Sequence, residues 1–210
     1  MSTDEQPGGH FEVERKFRLT AIEVAAVQAK LERRGFVLQA TSVITDTLLL
    51  ANAVKDVTHR VRREQVLSGA SADVHFFETV KTHPVLPNGS HVRKELESEI
   101  DAEQAQKLIA DAVHETCEPS PSYSKTRRTY VGKLKGRDVT VAIDLARGLG
   151  TFSGHYIEFE VLLPIGSKPE EIEAVQDQLV AFAHKLLGDE RSTQISYRKM
   201  LLKSWGRAAA

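Results

Sequence analysis

Residues 10–18, His10-Phe11-Glu12-Val13-Glu14-Arg15-Lys16-Phe17-Arg18, decide how this chain is read. In an extended strand, successive side chains point to opposite faces. Glu12, Glu14, Lys16 and Arg18 therefore share one face, while Phe11, Val13 and Phe17 share the other with Arg15. The same division recurs downstream. Glu158 and Glu160 oppose Ile157, Phe159 and Val161, and Arg60 with Arg62, Lys125 with Arg127, Lys81 with Thr79, and Arg93 with Glu95 and Glu97 each fall on one face of a strand. Asp144 ends a strand whose other face holds Val139, Val141 and Ile143.

Period-2 alternation marks eight strands: His10–Arg18, Gln39–Leu50, Asp56–Gln65, Asp73–Thr82, His91–Ile100, Tyr123–Val131, Arg137–Leu145 and Gly154–Leu163. Three amphipathic helices lie between them. Thr20 with Glu23 reads as a capping box before Val24, Val27 and Leu31, with Gly35 as the stop. Asp101 with Gln104 opens the second, with Ala105, Leu108, Ile109 and Ala112 on one face. Ser167 with Glu170 opens the third, whose stripe is Ile172, Val175, Leu179, Phe182 and Leu186. Most strands follow one another without a crossover helix, which favours an antiparallel sheet and allows closure into a barrel.

The 210 residues carry 28 basic and 29 acidic side chains, a net charge of −1. A nucleic-acid binder usually shows a basic surplus, and this chain has none. No apolar run reaches the ~18 residues of a membrane span, and Met1–His10 lacks the blocks of a signal peptide. The expectation is a cytoplasmic monomer with a flexible segment over 1–9 and one domain over 10–205. The single cysteine, Cys117, has no internal disulfide partner and reads as a free thiol without a role. The histidines show no metal-ligand spacing, and Gly148-Leu149-Gly150 lacks the Lys-Ser/Thr of a phosphate loop, so it reads as a turn.

Two readings of the charged faces compete. They are either the solvated outside of a half-exposed sheet or the lining of a polar cavity whose apolar outside is covered by the helices. The like-charged pairs favour the cavity. Arg-x-Arg, Lys-x-Arg and Glu-x-Glu each set two like charges about 7 Å apart on one side of a strand, which is unfavourable unless a counter-ion binds between them. Paired carboxylates suit a divalent metal, because Mg²⁺ takes oxygen ligands and bridges carboxylates to phosphates. Guanidinium forks and ammonium groups suit phosphate oxygens.

Glu12-Val13-Glu14-Arg15-Lys16-Phe17 also resembles the Glu-x-Glu-x-Lys signature of the CYTH, or triphosphate tunnel metalloenzyme, superfamily. The later elements follow in order: His59-Arg60-Val61-Arg62-Arg63, Thr79-Val80-Lys81, Arg93-Lys94-Glu95-Leu96-Glu97, Lys125-Thr126-Arg127-Arg128, Asp144 and Glu158-Phe159-Glu160. The resemblance runs from about residue 10 to about 200, and its opening and size are most similar to thiamine triphosphatases. It implies an α+β fold: an eight-stranded antiparallel closed β-barrel, or tunnel, flanked by amphipathic helices. It further implies Mg²⁺-dependent hydrolysis of a triphosphate, with Mn²⁺ as the other candidate metal. By position, Lys16, Arg60, Arg62, Lys81, Arg93, Lys125 and Arg127 are expected on phosphates, with Lys16 also catalytic and Arg18 a weaker candidate. Glu12, Glu14, Asp144, Glu158 and Glu160 are expected on the metal, while Glu95 and Glu97 are left unassigned.

The expected substrate is thiamine triphosphate, cleaved to diphosphate and phosphate. Animal thiamine triphosphatases carry a tryptophan just ahead of the Arg-x-Arg pair, where this chain reads Val57-Thr58-His59; its only tryptophan is Trp205. That favours tripolyphosphate or a nucleoside triphosphate as the alternative substrate. A non-catalytic polyphosphate-binding module is the alternative of another class. Tyr197, Leu201, Leu202 and Trp205 are expected to anchor the C-terminal segment by packing, with a lid over the tunnel as the second reading.

Overall fold

The computed structural model describes residues 10–50, 57–68, 71–84, 92–189 and 191–206. The order is β1 (His10–Leu19), α1 (Ala21–Glu32), β2 (Val37–Leu48), β3 (Thr58–Ser68), β4 (Ser71–Pro84), β5 (Val92–Ile100), α2 (Ala102–Thr116), β6 (Ser122–Leu134), β7 (Arg137–Arg147), β8 (Gly154–Pro164), α3 (Pro169–Leu187) and α4 (Tyr197–Ser204). The eight strands close into an antiparallel barrel in the spatial order β1-β5-β4-β3-β2-β6-β7-β8. Among the described residues every strand has a neighbour on both sides, with β1 and β5 joined over His10–Val13 and Val92–Glu95. The expected architecture is thus the observed one. The expected segment 1–9 and the strand starts at Asp56 and His91 lie outside the described residues.

Alternation sorts the two faces of the wall. On β1 and β8, Val13, Phe17, Ile157, Phe159, Val161 and Leu163 point outward into a core shared with Val27 and Leu31 of α1 and Ile172, Val175, Leu179 and Leu186 of α3. A smaller cluster sets Ala105 and Ala112 of α2 against Val61. The helices therefore cover the apolar outside, and the charged faces look inward. Their ends follow local chemistry. Glu23 accepts from the Thr20 amide at 2.7 Å. Asp101 accepts from the Gln104 amide at 2.8 Å while Gln104 accepts from the Asp101 amide at 3.0 Å, a reciprocal box. Gly35, at φ +81°, lets the chain turn from α1 into β2.

Two details differ from the sequence reading. Lys168, not Ser167, is the N-cap of α3, without a side-chain cap bond; Pro169 at the first helical position fixes the start instead. The C-terminal segment is a helix of its own, capped by Ser196, whose Oγ accepts from the Lys199 amide at 3.3 Å. Its Tyr197, Met200, Leu201 and Leu202 pack with Leu48, Tyr123, Leu149 and Tyr156, at the end of the barrel where β2 finishes and β6 and β8 begin. The expected packing role holds for Tyr197, Leu201 and Leu202, whereas Trp205 is exposed. Among the described residues no helix is long and apolar enough to cross a membrane.

Candidate functional site

The barrel encloses a cavity of about 310 Å³. Of the candidate residues, Lys16, Arg60, Arg62, Lys81, Arg93, Lys125, Arg127, Glu12, Glu14, Glu158 and Glu160 all line it. Asp144 sits behind the lining, fully buried, and reaches the cavity through Arg127. Arg18 does not join them. It is exposed and donates to the Ser153 carbonyl at 3.3 Å.

Strand register explains how so many charges are tolerated together. Directly across the ladders, Lys16 faces Glu158, Arg127 faces Asp144, Arg62 faces Asp46, Lys81 faces Glu95 and Arg93 faces Glu12. Opposite charges thus stand directly across these ladders, which is the favourable cross-strand arrangement. The contacts follow. Lys16 Nζ lies 2.8 Å from Glu158 and 3.2 Å from Glu14. Arg127 donates two bonds to Asp144, at 2.8 and 2.7 Å, and also reaches Glu158. Lys81 contacts Glu12 and lies 3.1 Å from Glu95.

One facing pair breaks the rule: Glu14 stands opposite Glu160. Burial raises the Glu160 carboxyl well above the ordinary range, and Glu12 and Glu14 beside it push it further the same way. The other acids go the opposite way. Burial alone would raise Glu158 and Asp144, but Lys16 and Arg127 hold Glu158 well below the usual range, and Arg127 and Lys125 hold Asp144 down. The site therefore has a side where every acid is matched by a base and a side, at Glu12, Glu14 and Glu160, where acids crowd one another. Among the described residues no three potential ligands converge tightly enough to enclose a cation unaided. The oxygen-only donor set on that acidic side still fits a hard divalent ion, because Mg²⁺ is commonly held by one or two carboxylates, with water and substrate phosphate completing its shell.

The bases offer donors. Burial pushes the Lys125 ammonium down to about 8, with the neighbouring Arg127 charge adding to it. For Lys16 burial acts in the same direction, but Glu158 and Glu14 outweigh it and the ammonium is raised. Arg60 is buried, and its Nε has no hydrogen-bond partner among the described residues. Its other nitrogens lie 3.5 Å from Asp46 and 3.7 Å from Glu95. An unmatched buried guanidinium donor is costly, and an anion in the cavity would relieve it.

The structure adds residues that the sequence reading did not assign. Asp46 is fully buried and accepts from Arg62 Nε at 2.8 Å, Arg62 Nη2 at 3.2 Å and the Tyr123 hydroxyl at 2.6 Å. Its signal lay in Ser42, Ile44, Asp46 and Leu48, which share one face of β2 and place an acid where the other strands put theirs. Glu95 lines the wall between Lys81 and Arg60, and Glu97 accepts from Thr79 Oγ1 at 2.9 Å. From α4, Tyr197 lies under the Lys16 ammonium, 3.8 Å from nitrogen to ring centroid, and its hydroxyl donates to Asp144 at 2.9 Å. Ser196, Tyr197 and Arg198 line the cavity at that end of the barrel.

Comparison with known proteins agrees with this geometry. No curated protein is similar enough to the chain to count as a relative. Among solved structures, the PH1819 protein of Pyrococcus horikoshii OT3 superposes with a TM-score of 0.69 at 23% identity, covering 91% of this chain and 98% of that one. A conserved hypothetical protein of Pyrococcus furiosus gives 0.59 at 20% identity, covering 87% and 94%. A proposed adenylyl cyclase from Hippeastrum, described as having a dominant triphosphatase activity, gives 0.50 at 16% identity, covering 95% and 97%. These likenesses establish the fold. Residues 10–197 match the CYTH domain family, and the chain belongs to that family.

Proposed function

We propose that this protein is a metal-dependent hydrolase that cleaves a triphosphate to diphosphate and phosphate. The observation that carries the reading is the convergence of Lys16, Arg60, Arg62, Lys81, Lys125 and Arg127 on one enclosed cavity that also contains a crowded carboxylate face. A triphosphate bears roughly four negative charges, which such a ring of donors matches through charge-assisted hydrogen bonds. Membership of the CYTH family and the activity described for the Hippeastrum protein support the same reading.

In this account Arg60, Arg62, Lys81, Arg93, Lys125 and Arg127 align the phosphate chain, and Lys16, held between Glu14 and Glu158, stabilises charge at the reacting phosphoryl group. Glu12, Glu14 and Glu160 are the residues that would hold the divalent ion, Mg²⁺ or Mn²⁺. Asp144 and Glu158, the other two acids implied by the resemblance, contribute by orienting Arg127 and Lys16. When bound, the ion neutralises phosphate charge and polarises a phosphoryl oxygen. The oxygen of water bonds to the terminal phosphorus, the bridging P–O bond breaks, diphosphate departs and one proton is released. Catalysis is then positioning and charge stabilisation inside a preorganised polar wall.

Thiamine triphosphate is the substrate we place first, on the resemblance carried by Glu12 to Phe17. Tripolyphosphate is the second reading. The wall tyrosines Tyr123 and Tyr197 are engaged by Asp46 and Asp144, and Trp205 is exposed and does not line the cavity. The test is phosphate release from thiamine triphosphate, tripolyphosphate and ATP with Mg²⁺ or Mn²⁺. The account expects metal-dependent release of one phosphate per substrate, reduced at least 100-fold in Lys16→Ala. Tight triphosphate binding with release at background under both metals would instead make the protein a polyphosphate-binding module.

A further inference from the structure

We infer that Tyr197 of α4 is a positioning residue for the reaction proposed above: its ring fixes where the ammonium groups of Lys16 and Lys125 stand when the phosphoryl group is transferred. The inference rests on the triphosphatase reading and adds to it a residue from outside the barrel wall.

Two lysines share this one ring. Lys16 Nζ lies 3.8 Å and Lys125 Nζ 4.9 Å from its centroid, both within the ~6 Å over which an aromatic face attracts a cation. Carboxylates hold each ammonium from another side. Lys16 has Glu158 at 2.8 Å and Glu14 at 3.2 Å, and Lys125 has Asp144 at 3.4 Å. Lysine is a point charge on a flexible four-carbon stem, so a carboxylate on one side leaves it room to swing. The ring closes that room without adding charge. A further carboxylate in its place would neutralise the positive charge that a phosphoryl group requires. The Tyr197 hydroxyl donates at 2.9 Å to Asp144 Oδ2, the oxygen that also accepts from Arg127 at 2.7 Å. One side chain thus touches Lys16, Lys125 and the carboxylate that orients Arg127.

The ring is itself held in place. Tyr197 is buried, and its ring meets Tyr123 at 5.4 Å and Tyr156, nearly perpendicular, at 5.5 Å between centroids. Met200, Leu201 and Leu202 seat α4 in the same cluster. The approach to α4 is tied to Lys16 as well. The Gln194 amide donates to the Lys16 carbonyl at 2.8 Å, past Val13, where β5 has stopped pairing with β1. The backbone of Lys16 therefore anchors the segment whose tyrosine bounds the Lys16 side chain. Charges fixed in this way need no reorganisation as negative charge develops on the substrate.

Steady-state phosphate release from tripolyphosphate and thiamine triphosphate with Mg²⁺ tests this, with Tm recorded for every protein. Tyr197→Leu should lower kcat at least tenfold and change KM by a smaller factor, since the lysines still bind phosphate but stand less well defined. Tyr197→Met takes its place if the leucine variant does not fold. Tyr197→Phe keeps the ring, gives up the hydroxyl, and should hold kcat within threefold of wild type. Met200→Ala removes packing from α4 at a residue that does not line the cavity; it should lower Tm and leave kcat within threefold. A ringless variant that loses less than tenfold in kcat, or loses mainly through KM, overturns the inference. So does a larger loss in Tyr197→Phe, which would assign the effect to the hydroxyl, or in Met200→Ala, which would assign it to the seating of α4. Each of these results leaves the triphosphatase reading standing. A wild type that hydrolyses neither compound overturns that reading and this inference together.

Discussion

Asp46 accepts from two of the three side-chain nitrogens of Arg62 and from the hydroxyl of Tyr123, in a place without solvent contact. Burial alone would raise its carboxyl, yet Arg60 and Arg62 hold it well below the usual range. Removing one partner of a buried charge cluster leaves the others uncompensated, at a cost of about 3–5 kcal/mol. Asp46→Asn should therefore lower the urea midpoint by that order, and added tripolyphosphate should restore part of the loss by supplying the missing negative charge. An unchanged midpoint would show that Asp46 is not the counter-ion of these arginines. Glu160 should behave in the opposite sense. Its burial, and its place opposite Glu14 and beside Glu12, disfavour its ionised form and so cost stability at neutral pH, a cost that a bound cation would relieve. Glu160→Gln should raise the Tm of the metal-free protein at pH 7 and abolish most of the Tm increase produced by Mn²⁺. A lower metal-free Tm would contradict this. The alternation in β1 and β8 made Glu160 visible in the sequence. Asp46 stays unassigned from the sequence, although the alternation of β2 places it on the inner face, because a single charge there has no like neighbour to mark it.

Gly132 of β6 illustrates how the elements constrain one another. A Cβ at this position would meet three atoms of the Phe36 ring at 2.6–2.8 Å. Phe36 is buried and stacks on Phe182 of α3 at 5.6 Å between ring centroids. The ring has little room to give, so Gly132→Ala should cost about 1–3 kcal/mol through overpacking. A urea midpoint equal to wild type would mean that the α3 side yields freely. The long elements were legible in the sequence because several periods repeat in each, as in α3 with Ile172, Val175, Leu179 and Leu186. The eight-residue α4 spans barely two turns, too few to show a stripe. Its Tyr197, which ties the C-terminus to Asp144, became part of the site only when the fold brought them together.

At the scale of the molecule, the barrel keeps an ionised interior under an apolar exterior, and its stability should follow the acids. Asp46, Asp144, Glu158 and Glu95 are all held below their ordinary ranges by adjacent bases against the effect of burial. On the surface, the Arg191 guanidinium and the Thr20 amide hold Glu23 down to about 2. A carboxylate whose folded pKa is depressed stabilises the fold above its unfolded value, about 4, and loses that contribution as pH falls through the folded value. Stability should therefore hold from neutral pH to about pH 5 and fall steeply below pH 4. Urea midpoints measured from pH 7 to pH 3 check this, and a flat profile would contradict it. Glu160 acts in the opposite sense and softens the fall without reversing it, being one raised group against several depressed ones. The alternation of like charges with apolar residues favoured a polar cavity and allowed closure, which the family resemblance implied; it could not announce the register that pairs Lys16 with Glu158 and Arg127 with Asp144.

The central claim is that this paired interior receives a triphosphate and a divalent ion. Crystals soaked with tripolyphosphate and Mn²⁺ test it most directly, through anomalous scattering from the metal and density for three linked phosphates. The account predicts manganese on Glu12, Glu14 or Glu160, with the phosphates along Lys16, Arg60, Arg62, Lys81 and Arg127. Manganese and phosphate found only on the outer surface, with the barrel interior unchanged, would contradict it.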